Sequence, residues 1–420
     1  MVRKVTLENG VRILTEEIPY VRSAALGIWV DVGSRDENER LNGASHFIEH
    51  MMFKGTSKRT AKDIAEALDA VGGQLNAFTT KEYTCYYARV LDEHFGLAVD
   101  VLTDMLFNSS FREEDIEREK NVIVEEIKMY EDAPDELVHD VFASTLWKGH
   151  VLGRPVIGNA DVVRDICRED LLSFYRSHYL DGRMVIAAAG NISHEEVVAQ
   201  LEGTFRNLSA TARVRQLDTP TPSPTVNFKA KDTEQVHLVM GTQGLPFGDE
   251  RIYEIQVLNT VLGGGISSRL FQKIREDRGL VYNIYSYHSS YHDTGIFCIY
   301  CALSSHNVNT VLGLVMAEIE NLRREPVGQD ELRRAKDQIK GNFLLNLESV
   351  NTRLTRLGKS ELYLGKIVTP DEVVQKVEAV TAEQVQDLAL KLLRPDAFCL
   401  ASVGAWEDGR FWQEALGRLS

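Results

Sequence analysis

A proline-rich segment near the middle of the chain constrains the fold more than any other feature. This segment, LDTPTPSPTVNFKAKD at residues 217–232, alternates three prolines with threonine and serine. Because proline lacks an N–H donor and fixes its own backbone angle, no helix can run through the segment. We therefore interpret it as a linker between a first domain at residues 1–216 and a second domain at residues 233–420.

The two halves of the chain resemble each other in the order of their patterns. In each half an apolar strand precedes a glycine-containing turn and acidic residues, as in VRSAALGIWVDVGSRDE and TEQVHLVMGTQGLPFGDE. An amphipathic helix and a charged helix follow in both halves, and later a strand, a glycine and a closing helix. The simplest interpretation is two homologous α+β domains, each a mainly antiparallel β-sheet packed with helices.

Length and charge agree with such a protein and exclude two classes of partner. The chain has 420 residues, of which 44% are hydrophobic. That content is enough for roughly two to four domains with buried cores. The formal net charge of −15 would repel nucleic acid and anionic membranes, so we expect neither as a partner.

Cysteine usage and the N-terminus indicate a reducing compartment. Five cysteines without regular spacing argue against a disulfide framework. Cys298 and Cys301 form a lone C-x-x-C in a strand pattern, where residues three apart point to opposite faces, so buried thiols are expected there. The chain shows no signal peptide and no run of ~18 apolar residues. We expect a cytoplasmic protein, although a chain trimmed at its N-terminus would look the same.

Two histidines and a glutamate lie close together in the first half. The segment NGASHFIEHMMFKGT, residues 42–56, carries His46, Glu49 and His50. Four residues make about one helical turn, so both histidines project from one side of a largely apolar helix. Neutral imidazoles at this spacing can share a zinc ion, and Glu49 would lie within reach of a water on that ion. Because a chance H-x-x-E-H occurs in roughly a few per cent of shuffled chains, the motif alone is only suggestive.

Catalytic zinc usually has three protein ligands, so the motif requires a partner elsewhere. The segment FREEDIEREKNVIVEEIKMYED, residues 111–132, predicts a helix whose apolar arc contains its isoleucines and Tyr130. Glu119 and Glu126, two turns apart, lie within or beside this arc, whereas Glu125 lies about opposite. Two such carboxylates either pair with buried Arg or Lys, or serve as a zinc ligand and a supporting acid, which is the more economical interpretation.

Together, HFIEH and REKNVIVEE resemble the pitrilysin/insulinase-type metallopeptidases, which carry the inverted H-x-x-E-H motif. The resemblance extends over nearly the whole chain, and the two-domain length resembles the short, processing-peptidase-like members. It implies one zinc ion per active site, with the following roles: His46, His50 and Glu126 as ligands, Glu49 as general base and Glu119 as supporting acid.

The resemblance also implies substrate contacts. The segment at residues 72–90, GGQLNAFTTKEYTCYYARV, is similar to the family's substrate-binding edge strand, where Asn76, Ala77 and Phe78 would hold a peptide backbone by strand addition. Its residues alone predict an ordinary hairpin. In the second half, SSRLFQKIREDRGLVYNIYS resembles the family's Arg-and-Tyr element. Arg275 and Tyr282 would then contact the substrate carbonyl, with Tyr282 stabilising its developing negative charge.

The second half lacks the metal motif. No H-x-x-E-H follows residue 226, and aligning the two charged helices sets Ala335 against Glu119 and Asn342 against Glu126. We therefore expect one half to supply the metal ligands and the other half to supply only substrate contacts.

These expectations describe a zinc endopeptidase that cleaves unfolded peptides or presequence-like segments inside a closed chamber. Glu49 would take a proton from water and pass it to the leaving amine. We expect a homodimer, and a heterodimer with an inactive relative is the alternative. The competing function is a non-catalytic or assembly subunit of the same fold, as in respiratory-complex core proteins; such subunits often lose the ligands that this chain retains.

Overall fold

The computed structural model describes residues 2–206, 208, 215 and 217–406. The chain forms two compact units, each assembled from three segments. The first unit comprises Met1–Lys128, Arg154–Gln216 and Asn346–Ile367. The second comprises Met129–Gly153, Leu217–Leu345 and Val368–Ser420. The units therefore differ from the predicted continuous ranges, because each one includes a helical segment from the other half of the sequence.

The first unit contains a six-stranded sheet in the order β1-β2-β6-β3-β5-β4. Its only parallel pair joins β2 to β6, and the other neighbours are antiparallel. The central strands β3 and β6 are buried along almost their whole length because both faces of the sheet are covered. The strands are β1 Val2–Thr6, β2 Arg12–Glu17, β3 Ser23–Val30, β4 Gln74–Thr79, β5 Thr84–Leu91 and β6 Met184–Gly190.

The second unit contains a five-stranded sheet in the order β7-β11-β8-β10-β9, again with one parallel pair, β7 and β11. The strands are β7 Val226–Lys229, β8 Val236–Gln243, β9 Asn283–Ser290, β10 Gly295–Leu303 and β11 Cys399–Val403. Taken in chain order, these five strands occupy the same places as β2 to β6 of the first sheet. The predicted pair of α+β domains with mainly antiparallel sheets is therefore confirmed.

Fourteen α-helices lie in the described part of the chain. They are α1 Ala44–Met52, α2 Ala61–Asp69, α3 Phe95–Asn108, α4 Glu113–Asp132, α5 Pro134–Leu146, α6 Ala160–Asp165, α7 Arg168–Phe174, α8 His194–Phe205, α9 Ile252–Leu262, α10 Val308–Arg324, α11 Gln329–Asn346, α12 Val350–Leu364, α13 Pro370–Ala379 and α14 Ala382–Leu392. Two short π-helices, Tyr175–Tyr179 and Phe271–Glu276, add to them. In the described residues no helix combines the length and apolar character that crossing a bilayer requires.

Each sheet is covered on one face by a helix from the other half of the sequence. In the first unit α12 packs Leu354 and Leu357 against a cluster that includes Trp29 of β3. In the second unit α5 packs Phe142 and Leu146 against strands β8, β10 and β11. Sequence periodicity gives the apolar side of a helix but does not identify the sheet that it covers, so this exchange could not be predicted.

The proline-rich segment contains no helix, as predicted, but it is not entirely a connection. Its residues Val226–Lys229 form β7, which pairs with β11 at the edge of the second sheet.

All five cysteines are free, and only Cys167 is exposed. Cys298 and Cys301 lie in β10, the strand that their sequence pattern predicted.

Candidate metal centre

Helix α1 presents the two histidines beside an apolar core. Its residues Phe47, Ile48 and Met51 are at most 1% exposed, because they pack into the main cluster of the first unit. His46 and His50 lie one turn apart and keep only 13% and 20% of their side-chain surface exposed. The helix therefore holds both imidazoles at the boundary between the core and an accessible surface.

Helix α4 turns Glu119 and Glu126 towards α1 and Glu125 away from it. The Glu119 side chain is buried, with 6% of its surface exposed, whereas Glu126 lies at the rim of the apolar arc with 46% exposed. Glu125 is 67% exposed and forms an ion pair with Lys128 on the outer surface, at 2.6 Å. Glu125 and Glu126 therefore lie on the sides of α4 that the helical periodicity predicted, although the Glu126 side chain is less buried than expected.

His46, His50 and Glu126 converge on a single point. The Glu126 carboxylate places Oε1 3.8 Å from Nε2 of His46 and Oε2 3.4 Å from Nε2 of His50. Among the described residues, this is the one group of three or more His, Cys, Asp or Glu side chains whose possible ligand atoms all lie within 4.8 Å of one another. Ligands at zinc's usual bond lengths in a tetrahedral site lie about 3.3 Å apart, so this donor set fits zinc.

Glu119 does not join this group but holds one of its members. Its Oε2 lies 3.1 Å from Nδ1 of His50, on the side of the ring away from Glu126. Its Oε1 forms a 2.7 Å ion pair with Lys54, which follows the helix. A carboxylate on the second ring nitrogen fixes the tautomer and orientation of a ligating histidine. The sequence indicated Glu119 but not Lys54, whose position depends on the turn after α1.

Glu49 lies on the same helix and is held by the edge of the sheet. The hydroxyl of Thr79, the last residue of β4, donates a hydrogen bond of 2.5 Å to Oε2 of Glu49. Asn76, Ala77 and Phe78 lie in the same strand, which ends the sheet and pairs with β5 alone among the described strands. The predicted edge strand is thus at an edge of the sheet and directly beside α1.

The charged groups around the cluster alter one another's pKa. Burial, followed by the neighbouring His50, lowers the pKa of His46 to about 4. Burial acts against the charge of His50 too, but hydrogen bonds to Glu119 and Glu126 raise its pKa to about 9. Burial raises the pKa of Glu49, and the hydrogen bond from Thr79 opposes this. Without metal, His46 is therefore neutral at pH 7, and His50 carries a proton that a metal would displace.

A buried carboxylate that the sequence did not indicate fixes the start of α1. Glu37 is 3% exposed and accepts hydrogen bonds from the backbone N–H groups of Gly43 and Ser45, at 2.8 and 2.7 Å. An acid at a helix N-terminus also complements the helix dipole. Gly43 has φ of 101°, and a Cβ there would approach the backbone oxygen of Ile157. These contacts fix the direction in which α1 begins, two residues before His46.

Arg275 and Tyr282 belong to the second unit. Arg275 lies in the π-helix Phe271–Glu276, with its guanidinium 4.6 Å from the centroid of the Phe271 ring. Tyr282 is 72% exposed, and its backbone N–H donates to Ala302 at 2.9 Å. Arg275 is therefore partly buried, and the Tyr282 side chain is largely exposed to solvent.

The family models that match the chain and its relatives of similar sequence point to the same family of proteins. A model described as insulinase, peptidase family M16, matches residues 12–160, and one described as the peptidase M16 inactive domain matches residues 165–339. The chain is 46% identical to an uncharacterized zinc protease of Bacillus subtilis, YmxG, with 94% of this chain and 97% of that one covered. It is 44% identical to an uncharacterized zinc protease of Streptomyces coelicolor, with coverages of 97% and 90%.

Solved structures share the fold. A peptidase M16 inactive domain from Pseudomonas fluorescens has a TM-score of 0.90 at 21% identity, covering 96% of this chain and 98% of that one. A protease from Helicobacter pylori has a TM-score of 0.89 at 18% identity, with coverages of 96% and 99%. At these identities the likeness concerns the fold alone.

Proposed function

We propose that this chain, which belongs to the insulinase family of peptidases, family M16, is a zinc endopeptidase that acts on unfolded peptides. The observation that carries the proposal is the convergence of His46, His50 and Glu126 beside Glu49 on one helix face. A largely buried helix that carries two imidazoles and Glu49, with a further carboxylate from Glu126 beside them, is costly to desolvate unless the groups bind an ion and act on a substrate.

The contacts of each side chain support the role proposed for it. A zinc ion held by His46, His50 and Glu126 would supply Lewis acidity towards a peptide carbonyl and lower the pKa of water. Glu119 and Lys54 hold His50 in the orientation that leaves Nε2 facing the cluster. Glu49 accepts the proton of the attacking water and returns it to the leaving amine.

The substrate part of the proposal rests on the edge strand. The free side of β4 offers backbone donors and acceptors within the segment Asn76–Phe78, to which an extended peptide would add as a further strand. The backbone N–H of Ala77 donates to Oδ1 of Asn76 at 2.8 Å, a hydrogen bond that the added strand would replace. Such binding reads the backbone more than the side chains, so it favours unfolded segments. We also propose that Arg275 and Tyr282 contact the substrate carbonyl, as the family resemblance implies. The closed chamber, the dimer and the cytoplasmic location stay predictions.

The test is a Glu49→Gln substitution assayed with a quenched unfolded peptide. The variant should keep one zinc per chain, because Glu49 is not among the converging ligands, and lose hydrolysis by about 10³-fold or more. Glu125→Gln, on the outer face of α4, is the matched control and should keep both properties. Zinc loss in Glu49→Gln would contradict its role as base, and a zinc-loaded wild type without hydrolysis would favour the non-catalytic subunit.

A further inference from the structure

The base of the proposed reaction is held at one of its two oxygens by a strand. Thr79 Oγ1 donates to Oε2 of Glu49 at 2.5 Å, the shortest hydrogen bond that this hydroxyl makes. Its other hydroxyl neighbour, Thr84 of β5, is 3.4 Å away. A hydroxyl has a single proton. The group to which Thr79 donates that proton therefore decides whether Oε2 of Glu49 is held by a hydrogen bond.

The surrounding hydroxyls fix that direction. Thr84 is fully buried and donates its own proton to the backbone oxygen of Val32 at 3.0 Å. The Tyr179 hydroxyl lies 3.2 Å from Thr84, on the core side. Thr84 therefore has no proton left for Thr79 and could only accept one from it, across 3.4 Å, whereas the Glu49 carboxylate accepts at 2.5 Å. The proton of Thr79 thus lies towards Glu49. A hydrogen bond from a neutral donor to a carboxylate is also the stronger choice.

Thr79 also connects Glu49 to the strand proposed to bind substrate. Side chains alternate along β4, so Thr79 and Ala77 point to the same face as α1, and Phe78 points to the opposite face. The packing agrees, because Ala77 contacts the cluster that contains α1, whereas Phe78 contacts the cluster that contains α12. The residues proposed to hold the peptide backbone are therefore followed directly by the residue that holds the base.

We propose that Thr79 is a positioning residue for peptide hydrolysis, which holds Glu49 through Oε2 and leaves Oε1 as the oxygen that accepts the proton of water. The inference rests on the proposed function. It assigns the proton transfer to one atom of Glu49, and it ties the position of that atom to the β4 edge strand. Because the Thr79 hydroxyl holds the Glu49 carboxylate directly, its effect on catalysis would pass through Glu49.

The experiment removes the hydroxyl and keeps the shape of the side chain. Thr79→Val should lower kcat by about 10- to 100-fold with little change in KM, because a charge-assisted hydrogen bond to the base is lost. Zinc content should stay at one per chain. Thr79→Ser, which keeps a hydroxyl, should recover kcat to within about threefold of wild type. Thr79→Ala is a second hydroxyl deletion, in case valine disturbs folding.

A structural readout makes the test independent of turnover. In crystals of the zinc-free wild type, the Glu49 carboxylate should adopt one conformation with Oε2 on Thr79. In zinc-free Thr79→Val and Thr79→Ala it should rotate or occupy several conformations. An unchanged carboxylate in these variants would overturn the inference.

A neighbouring threonine provides the matched control. The Thr80 hydroxyl donates to the backbone oxygen of Tyr83 at 2.9 Å and stabilises the same hairpin without touching Glu49. Thr80→Val should therefore lower the unfolding temperature but keep kcat. An equal kcat loss in Thr80→Val, a pure KM effect in Thr79→Val or zinc loss in that variant would each overturn the inference. Wild-type protein that binds zinc but hydrolyses no peptide would instead overturn the proposed function itself.

Discussion

Adjacent glutamates on α4 illustrate how strongly position decides chemistry at the scale of a residue. Glu125 and Glu126 have the same side chain, but about 100° of helical rotation separates them. Glu125 is paired with Lys128 on the surface, whereas Glu126 faces Nε2 of both His46 and His50. The position of a glutamate on the helix, and not the chemistry of its side chain, therefore decides which carboxylate can complete a metal site.

Substituting the two glutamates separately should give different results. Glu126→Gln should weaken zinc binding by at least about 100-fold, because a neutral amide is a poor zinc ligand. Glu125→Gln should leave the affinity within about twofold, because only an exposed ion pair is lost. Competition with a chromophoric chelator measures both affinities. Equal effects of the two substitutions would rule out the assignment of Glu126 as a ligand.

The metal-free centre should also show a pH dependence. The pKa of His50 is raised to about 9 in the folded protein, above its ordinary value of 6.5. A raised histidine pKa stabilises the fold below the unfolded pKa, and this contribution is lost as pH rises through the folded pKa. Between pH 7 and 9 the free energy of unfolding of the metal-free protein should therefore fall, by at most about 3 kcal/mol.

Zinc provides the control for this pH dependence. With His50 bound to metal there is no proton to lose, so the decline between pH 7 and 9 should disappear in the zinc-loaded protein. The apparent zinc affinity should rise over the same pH range, because a smaller fraction of the metal-free protein carries the His50 proton that competes with zinc. Denaturant unfolding with and without a chelator measures the effect. A metal-free protein whose stability is flat or rises from pH 7 to 9 would contradict the assignment.

At the scale of an element, helix α12 depends on two glycines and a tryptophan. A Cβ on Gly358 of α12 or on Gly27 of β3 would overlap the ring of Trp29, which is fully buried between them. Ion pairs fix the same helix, since Glu361 contacts Lys4 at 2.5 Å and Arg12 at 3.3 Å. The absence of side chains at these positions brings the helix close enough to cover the sheet.

Alanine substitution at two helical glycines should therefore have effects of opposite sign. Gly358→Ala should destabilise the protein by about 1–3 kcal/mol, because Trp29 cannot move without disturbing the core. Gly341→Ala, in α11, should stabilise it by about 0.5–1 kcal/mol, because a Cβ there meets nothing within 4 Å and alanine favours helix. Chemical denaturation compares the two. Destabilisation by Gly341→Ala, or none by Gly358→Ala, would disagree with the packing described.

At the level of the whole molecule, the two units share a strand order but carry different residues at corresponding positions. The first unit carries the converging His46, His50 and Glu126, and the corresponding helix α11 of the second unit carries Ala335 and Asn342 at the aligned positions. The units are nevertheless not consecutive along the chain, because α5 belongs to the second and α12 to the first. A cut in the proline-rich segment therefore removes a covering helix from each sheet.

Separated halves should consequently depend on each other. A fragment of residues 1–216 should aggregate or bind a hydrophobic dye, because the apolar face around Trp29 and Leu14 is uncovered without α12. Co-expression with residues 217–420 should restore a monodisperse, zinc-binding complex. The same second fragment carrying Leu354→Asp, on the buried side of α12, is the control and should fail to do so. A stable, zinc-binding 1–216 fragment alone would contradict the dependence.

Sequence patterns alone predict much of the local geometry of this protein. Helical periodicity placed His46, Glu49 and His50 on one face and separated Glu126 from Glu125, and the order of strand patterns predicted two α+β domains. The contacts of Thr79 with Glu49, of Lys54 with Glu119 and of Glu37 with the start of α1 arise from the packing of separate elements and could not be predicted. The tertiary structure also decided which sheet α5 and α12 cover. Periodicity reports the direction of a side chain relative to its own element, whereas these contacts depend on how distant elements pack, which local patterns do not encode.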